Sequence, residues 1–153
     1  MDEIDGKLLD AVQADGRTSL ATLGAGVGLS TSAVNERLKK LQADGVMTGI
    51  HGRVDPNKVG FGICAMVEIL LSSPSDDVPF VAGCMAEPQV LECHHITGDW
   101  SYLLKVRARS TADLQHLIAD RIKALPGVVR SRTSIALSSP KESTFLPCAA
   151  ARE

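Results

Sequence analysis

The sequence predicts an α+β protein with an N-terminal winged helix-turn-helix domain and a C-terminal ferredoxin-like β-α-β-β-α-β domain. Three observations carry that prediction. Residues 2–44 show helical periodicity in three short runs, and residues 62–137 alternate strand-like with helix-like runs. Between them, Asp55-Pro56-Asn57 is a turn signal. The expected boundaries are 1–54 for the helical domain, 55–61 for a hinge, 62–137 for the mixed domain and 138–153 for a C-terminal tail.

In the first helix, Ile4, Leu8, Leu9 and Val12 fall on one face, Asp2 is the cap, and Asp15-Gly16 ends the run. A second helix from Leu20 to about residue 26 carries Leu23. Gly24 and Gly26 each lower its propensity by about 1 kcal/mol relative to Ala, so it is expected to be short. It leads through Val27-Gly28-Leu29 into the segment LSTSAVNERLKKLQAD, where Ser30 is the N-cap. At about 100° per residue, Val34, Leu38 and Leu41 form one stripe, and Thr31, Ser32, Asn35, Glu36, Lys39 and Lys40 fan across the opposite arc. Gly45-Val46-Met47 closes this helix, and Thr48 to Val54 reads as an extended arm or wing.

By itself the third helix fits an ordinary surface helix with a solvated polar face. Two helices joined by a short Gly-containing turn, the second opening on small polar and basic residues, form the helix-turn-helix pattern, which implies double-stranded DNA as partner. Ser32 and Asn35, early on the exposed arc with Thr31, are expected to face base edges. Lys39 and Lys40 are expected to meet phosphates, as are Arg17 and Ser30 near the turn. Arg37 lies about 40° beyond Leu41 on the wheel, so it is expected at the interface edge, bound to phosphate or bracing the domain. Residues 1–60 hold seven Lys and Arg against eight Asp and Glu, so any attraction to DNA rests on local placement and not on net charge.

The second domain opens on the apolar run Ile63 to Leu71. Asp76 to Met85 reads as a helix, Val90 to Thr97 and Ser101 to Arg107 as strands. Ser110 caps a further helix, with Asp113 as an acidic variant of the capping box. Leu114, Leu117, Ile118, Ile122 and Leu125 line that helix, Pro126-Gly127 stops it, and Val128 to Leu137 is the last strand. With both helices on one face, the other face of the sheet needs cover, and a partner subunit is the simplest cover. A homodimer is therefore expected. The turn Gly98-Asp99-Trp100-Ser101 reads either as a plain hairpin connection or as a binding loop.

No catalytic, metal or cofactor motif stands out. His94 and His95 are adjacent on a strand and point to opposite faces, while Cys64, Cys84, Cys93 and Cys148 lack CxxC spacing and read as small apolar residues. No nucleotide loop, nucleophile-base arrangement or carboxylate pair is evident, so an enzyme is not expected. The acidic start MDEIDGK is unlike a signal peptide and no apolar run reaches membrane-spanning length, which implies a cytoplasmic protein without membrane attachment.

The chain resembles the Lrp/AsnC, or feast/famine, transcriptional regulators. The resemblance rests on Asp5 with Leu8-Leu9, then Asp15-Gly16-Arg17, Leu23, Val27-Gly28-Leu29-Ser30, Val34, Arg37-Leu38, Leu41, Gly45-Val46 and Gly49-Ile50. It continues through Glu92-Cys93, Thr97-Gly98-Asp99, Tyr102-Leu103-Leu104 and Leu125-Pro126-Gly127-Val128. Gly24 departs from it, since relatives usually have Ala there. The resemblance implies a DNA-binding regulator, built as dimers that assemble further, whose small-molecule effector is an amino acid held between subunits. Gly98 and Asp99 would lie near the ligand's charged head, with Trp100, Ser101 and Tyr102 bordering the pocket and Thr133 and Ser134 as further polar groups. Relatives often carry a second Asp where this chain has Ser101, which implies a more apolar or more weakly held ligand. The competing reading is an amino-acid-binding regulatory module that acts through protein contacts without DNA.

Overall fold

The computed structural model describes residues 1–149. They form two compact units, one of residues 1–53 with the C-terminal segment from Lys141, the other of Val54–Pro140. The first unit contains α1 (Glu3–Ala14), α2 (Leu20–Val27) and α3 (Thr31–Ala43). Asp2 starts α1 through a reciprocal capping box: its Oδ1 accepts from the Asp5 N–H, and Asp5 Oδ2 accepts from the Asp2 N–H, both at 2.8 Å. Each helix then gives one buried side chain to a shared core, Leu8, Leu23 and Val34, flanked by Ile4, Val12, Val27, Leu29 and Leu38. Each such burial contributes about 1.5–3 kcal/mol.

Gly28 ends α2 in the left-handed region at φ 70°, and the Leu29 N–H donates to the Gly24 carbonyl at 3.0 Å. Gly24 is buried, and a Cβ there would collide with the Leu29 carbonyl. Past α3, Gly45 turns the chain at φ 71° and the Val46 and Met47 N–H groups return to the Leu41 carbonyl. Residues 48–54, read as an arm or wing, form no strand, for a wing needs a second segment to pair with and none of the described residues supplies it.

From Lys141 the described part of the tail is irregular, and Leu146, Cys148 and Ala149 lie on α1 of the same chain. Gln13 Nε2 donates to the Leu146 carbonyl and Gln13 Oε1 accepts from the Leu146 N–H, both at 2.9 Å. The Asp10 carboxylate accepts from the N–H groups of Cys148 at 2.7 Å and Ala149 at 3.1 Å. Gly6 lies beneath this segment, where a Cβ would stand 2.8 Å from the Cys148 carbonyl. The last four residues of the tail lie outside the described residues.

The second unit holds β1 (Ile63–Leu71), α4 (Asp77–Ala86), β2 (Val90–His95), β3 (Tyr102–Ala108), α5 (Thr111–His116) and β4 (Val128–Ile135). The sheet runs β2-β3-β1-β4 with every pair antiparallel. One face, including Ala65, Val67, Ile69, Leu104 and Val106, packs on Phe80 and Cys84 of α4 and on Leu114, Leu117 and Ile122 from the α5 side. The opposite face carries Met66, Glu68, Leu70, Leu103 and Lys105, with Arg130 and Arg132 in register beside Leu70 and Glu68. No helix of this unit packs there.

Two details differ from the sequence expectation. Ser110 Oγ accepts from the Asp113 N–H at 3.1 Å, but the Asp113 carboxylate accepts from Arg109 N–H and Gln89 Nε2, so it ties the helix to the loop before β2 instead of closing a capping box. After His116 the helix widens into a π-helical stretch, Leu117–Ile122, marked by the Lys123 N–H reaching the Ile118 carbonyl. Across this stretch Ile122 is buried and Arg121 is exposed. The turn signal at Asp55-Pro56-Asn57 forms a turn: Asp55 Oδ1 accepts from the Asn57 N–H, and the Phe61 ring lies under the Arg109 guanidinium.

Candidate functional site

On α3 the sequence-selected residues divide cleanly. Thr31, Ser32, Lys39 and Lys40 are exposed and Asn35 is half-buried, while Val34 and Leu41 are buried beneath them. Ser30 Oγ accepts from the Ala33 N–H at 3.3 Å and lies 3.0 Å from Ser32 Oγ, so the cap and the first polar residue form one unit. Lys39 is loosely paired with Glu36 at 3.8 Å. Arg17, almost fully exposed, stands 3.6 Å from Asp15 in the loop after α1.

Arg37 is different. Its Nη1 donates to Asp2 Oδ2 and Asp5 Oδ1, each at 2.7 Å, and thereby bolts α3 to the start of α1. This contact braces the helical unit. The Asp5 N–H and then the Arg37 guanidinium lower the Asp2 pKa to about 2, and the two carboxylates raise that of Arg37. The partnership spans more than thirty residues, and no local sequence signal marks it.

In the second unit the 98–101 turn is fastened at its far end. The Ser101 N–H donates to the Ile69 carbonyl at 2.8 Å, and Ser101 Oγ accepts from the Leu71 N–H at 3.1 Å. Gly98 turns the chain at φ 108°. Among the described residues, the N–H groups of Gly98, Asp99 and Trp100 make no hydrogen bond and the Asp99 carboxylate has no partner. The half-buried Trp100 ring lies 4.7 Å from the Arg130 guanidinium and 5.3 Å from that of Arg132. Arg132 also grips Glu68 with both a short Nε contact and Nη2 at 2.6 Å, which holds the Glu68 carboxyl below its ordinary range.

Three other expected residues are not brought to this cluster within one chain. Thr133 and Ser134 pair with Val67 and Met66, further along β4 from the turn than Arg130 and Arg132. The Tyr102 side chain lies in the core, its ring 4.9 Å from both Phe80 and His95, and burial followed by Asp77 raises its pKa. Sequence reasoning missed Arg130, Arg132 and Glu68. Their alternation was legible, but their approach to Trp100 follows from the strand order.

Burial pushes the Cys84 thiol up to about 12, which suppresses the reactive thiolate. Among the described residues, no group of three or more His, Cys, Asp or Glu is placed to hold a metal, and no helix is long and apolar enough to cross a membrane.

Comparison with known proteins supplies the class. Residues 1–42 match the AsnC-type helix-turn-helix domain and residues 64–146 match the Lrp/AsnC ligand binding domain. The leucine-responsive regulatory protein of Haemophilus influenzae is 34% identical over 148 residues, 95% of this chain and 89% of that protein. A transcriptional regulator of Neisseria meningitidis, solved as its L-Met complex, superposes with a TM-score of 0.90 at 28% identity, covering 96% of each chain. The feast or famine regulatory protein of M. tuberculosis, complexed with L-methionine, gives 0.87 at 35% identity, covering 95% of this chain and 97% of that one. These matches and the two units define a DNA-binding transcriptional regulator with a ligand-binding domain, not an enzyme. The chain belongs to the Lrp/AsnC family.

Proposed function

We propose that this regulator reads a specific DNA sequence with α3 and that its DNA affinity responds to a free amino acid bound at the 98–101 turn, between subunits. Ser32 and Asn35 meet base edges, with Thr31 beside them, and Asn suits a bidentate contact to adenine. Lys39, Lys40, Arg17 and Ser30 meet phosphates. The observation that carries the effector reading is the set of uncommitted groups on one turn: three backbone N–H donors and the Asp99 carboxylate. Donors for a carboxylate beside an acceptor for an ammonium suit a zwitterion.

Ser101 already accepts from the Leu71 N–H, so it fastens the turn and leaves the ammonium to Asp99. Tyr102 seats the same turn from the core side. A homodimer covers the helix-free sheet face, dimers assemble further, and Thr133 and Ser134 reach the pocket from a neighbouring subunit. Binding at a shared interface then biases the assembly and shifts DNA affinity by linkage. Thermal-shift screening of the twenty amino acids tests this, with Asp99→Ala as control. At least one should stabilise the protein and lose its effect in the variant. No shift with any amino acid, or a shift that Asp99→Ala leaves unaltered, means the turn is only a hairpin.

A further inference from the structure

We propose that Arg130 is the specificity-determining cation of the effector site, the residue that makes a free α-carboxylate a condition of binding. The inference rests on the amino-acid reading above. Three observations carry it. Arg130 and Arg132 lie two residues apart on β4 and both guanidinium groups approach the Trp100 ring, at 4.7 and 5.3 Å. Only one of them is neutralised: Arg132 is gripped by Glu68, whereas no carboxylate among the described residues is paired with Arg130. The remaining unpaired charge at this turn is Asp99, of opposite sign and adjacent to Trp100.

Trp100 therefore sits between an uncommitted carboxylate on its own loop and an uncommitted guanidinium on β4. That pair is complementary to a molecule carrying one ammonium and one carboxylate. The indole face restrains the planar guanidinium by cation–π contact, so less freedom is lost when its fork takes both oxygens of a carboxylate. Glu68 matters to selectivity by its placement. By occupying Arg132, it leaves the site with one available positive charge, which balances Asp99 and disfavours ligands of net charge.

The test titrates the full chain by calorimetry with each of the twenty L-amino acids and with the α-carboxamide of every one that binds. Wild type should prefer the acid over the amide by at least about tenfold, about 1.4 kcal/mol. Arg130→Gln should bring that preference to within twofold, and Arg130→Lys should keep part of it, since charge alone survives. Circular dichroism of each variant confirms that the fold is intact. An acid-over-amide preference that Arg130→Gln leaves unchanged overturns the Arg130 assignment while the amino-acid reading stands. Wild type that binds none of the twenty overturns both.

Discussion

Asp2 caps α1 and pairs with Arg37 through a single carboxylate, which gives the helical unit a pH dependence of definite sign. Its folded pKa is depressed to about 2, so its contribution is complete above the unfolded value near 4 and is lost as pH falls toward 2. Asp2→Asn keeps a capping oxygen but removes the charge. The Tm difference between wild type and this variant should be largest above pH 4 and shrink toward pH 2; a constant difference would show that the charge is irrelevant. Glycine gives a second prediction at this scale. By composition Gly24 and Gly26 are equal liabilities to α2, each worth about 1 kcal/mol against Ala. The structure separates them, because a Cβ at Gly24 strikes the Leu29 carbonyl whereas one at Gly26 meets nothing within 4 Å. Gly26→Ala should raise Tm and Gly24→Ala should lower it, despite identical chemistry. The sequence could not distinguish the two, since the difference lies in the turn that folds back over only one of them.

Among the elements, the boundaries marked by local chemistry were the legible ones. Ser30 caps α3 as its hydroxyl predicts, and β1 spans Ile63–Leu71 as its apolar run predicts. What local pattern could not reveal depends on partners distant in sequence. The π-helical turn after α5 answers to core packing at Ile122, and the tail's course over α1 depends on Asp10 and Gln13, more than 130 residues away. The meeting of Trp100 with Arg130 likewise needed the order β2-β3-β1-β4. The tail contact predicts a specific exchange pattern. The N–H groups of Leu146, Cys148 and Ala149 should be protected from hydrogen exchange, since each donates to α1. Asp10→Ala should release Cys148 and Ala149 but not Leu146, whose acceptor is Gln13, and should cost about 1–2 kcal/mol. Uniform protection in the variant would mean the strap is held by something else.

For the whole molecule, an excess of two acidic residues in the chain must be reconciled with DNA binding. The structure resolves part of this by using charges against one another: Arg37 is committed to Asp2 and Asp5, while Lys40, Lys39 and Arg17 stay at the surface. Weak attraction per chain suits binding as a symmetric multimer, in which two copies of α3 read half-sites spaced by helical turns. Light scattering at micromolar concentration should therefore show a dimer or a multiple of dimers; a monomer at every salt concentration would leave the helix-free face of the sheet unexplained.

The most direct measurement is the affinity of the full chain, across a salt series, for DNA it selects from its own genome. The logarithm of the binding constant should fall linearly with the logarithm of salt concentration. Lys39→Ala should weaken all sites alike and flatten that slope by about one for each phosphate the lysine no longer neutralises, whereas Asn35→Ala should keep the slope and relax the selected sequence. A salt-independent affinity, or slopes and selected sequences unchanged in both variants, would contradict the assignment of α3 as the DNA-reading surface.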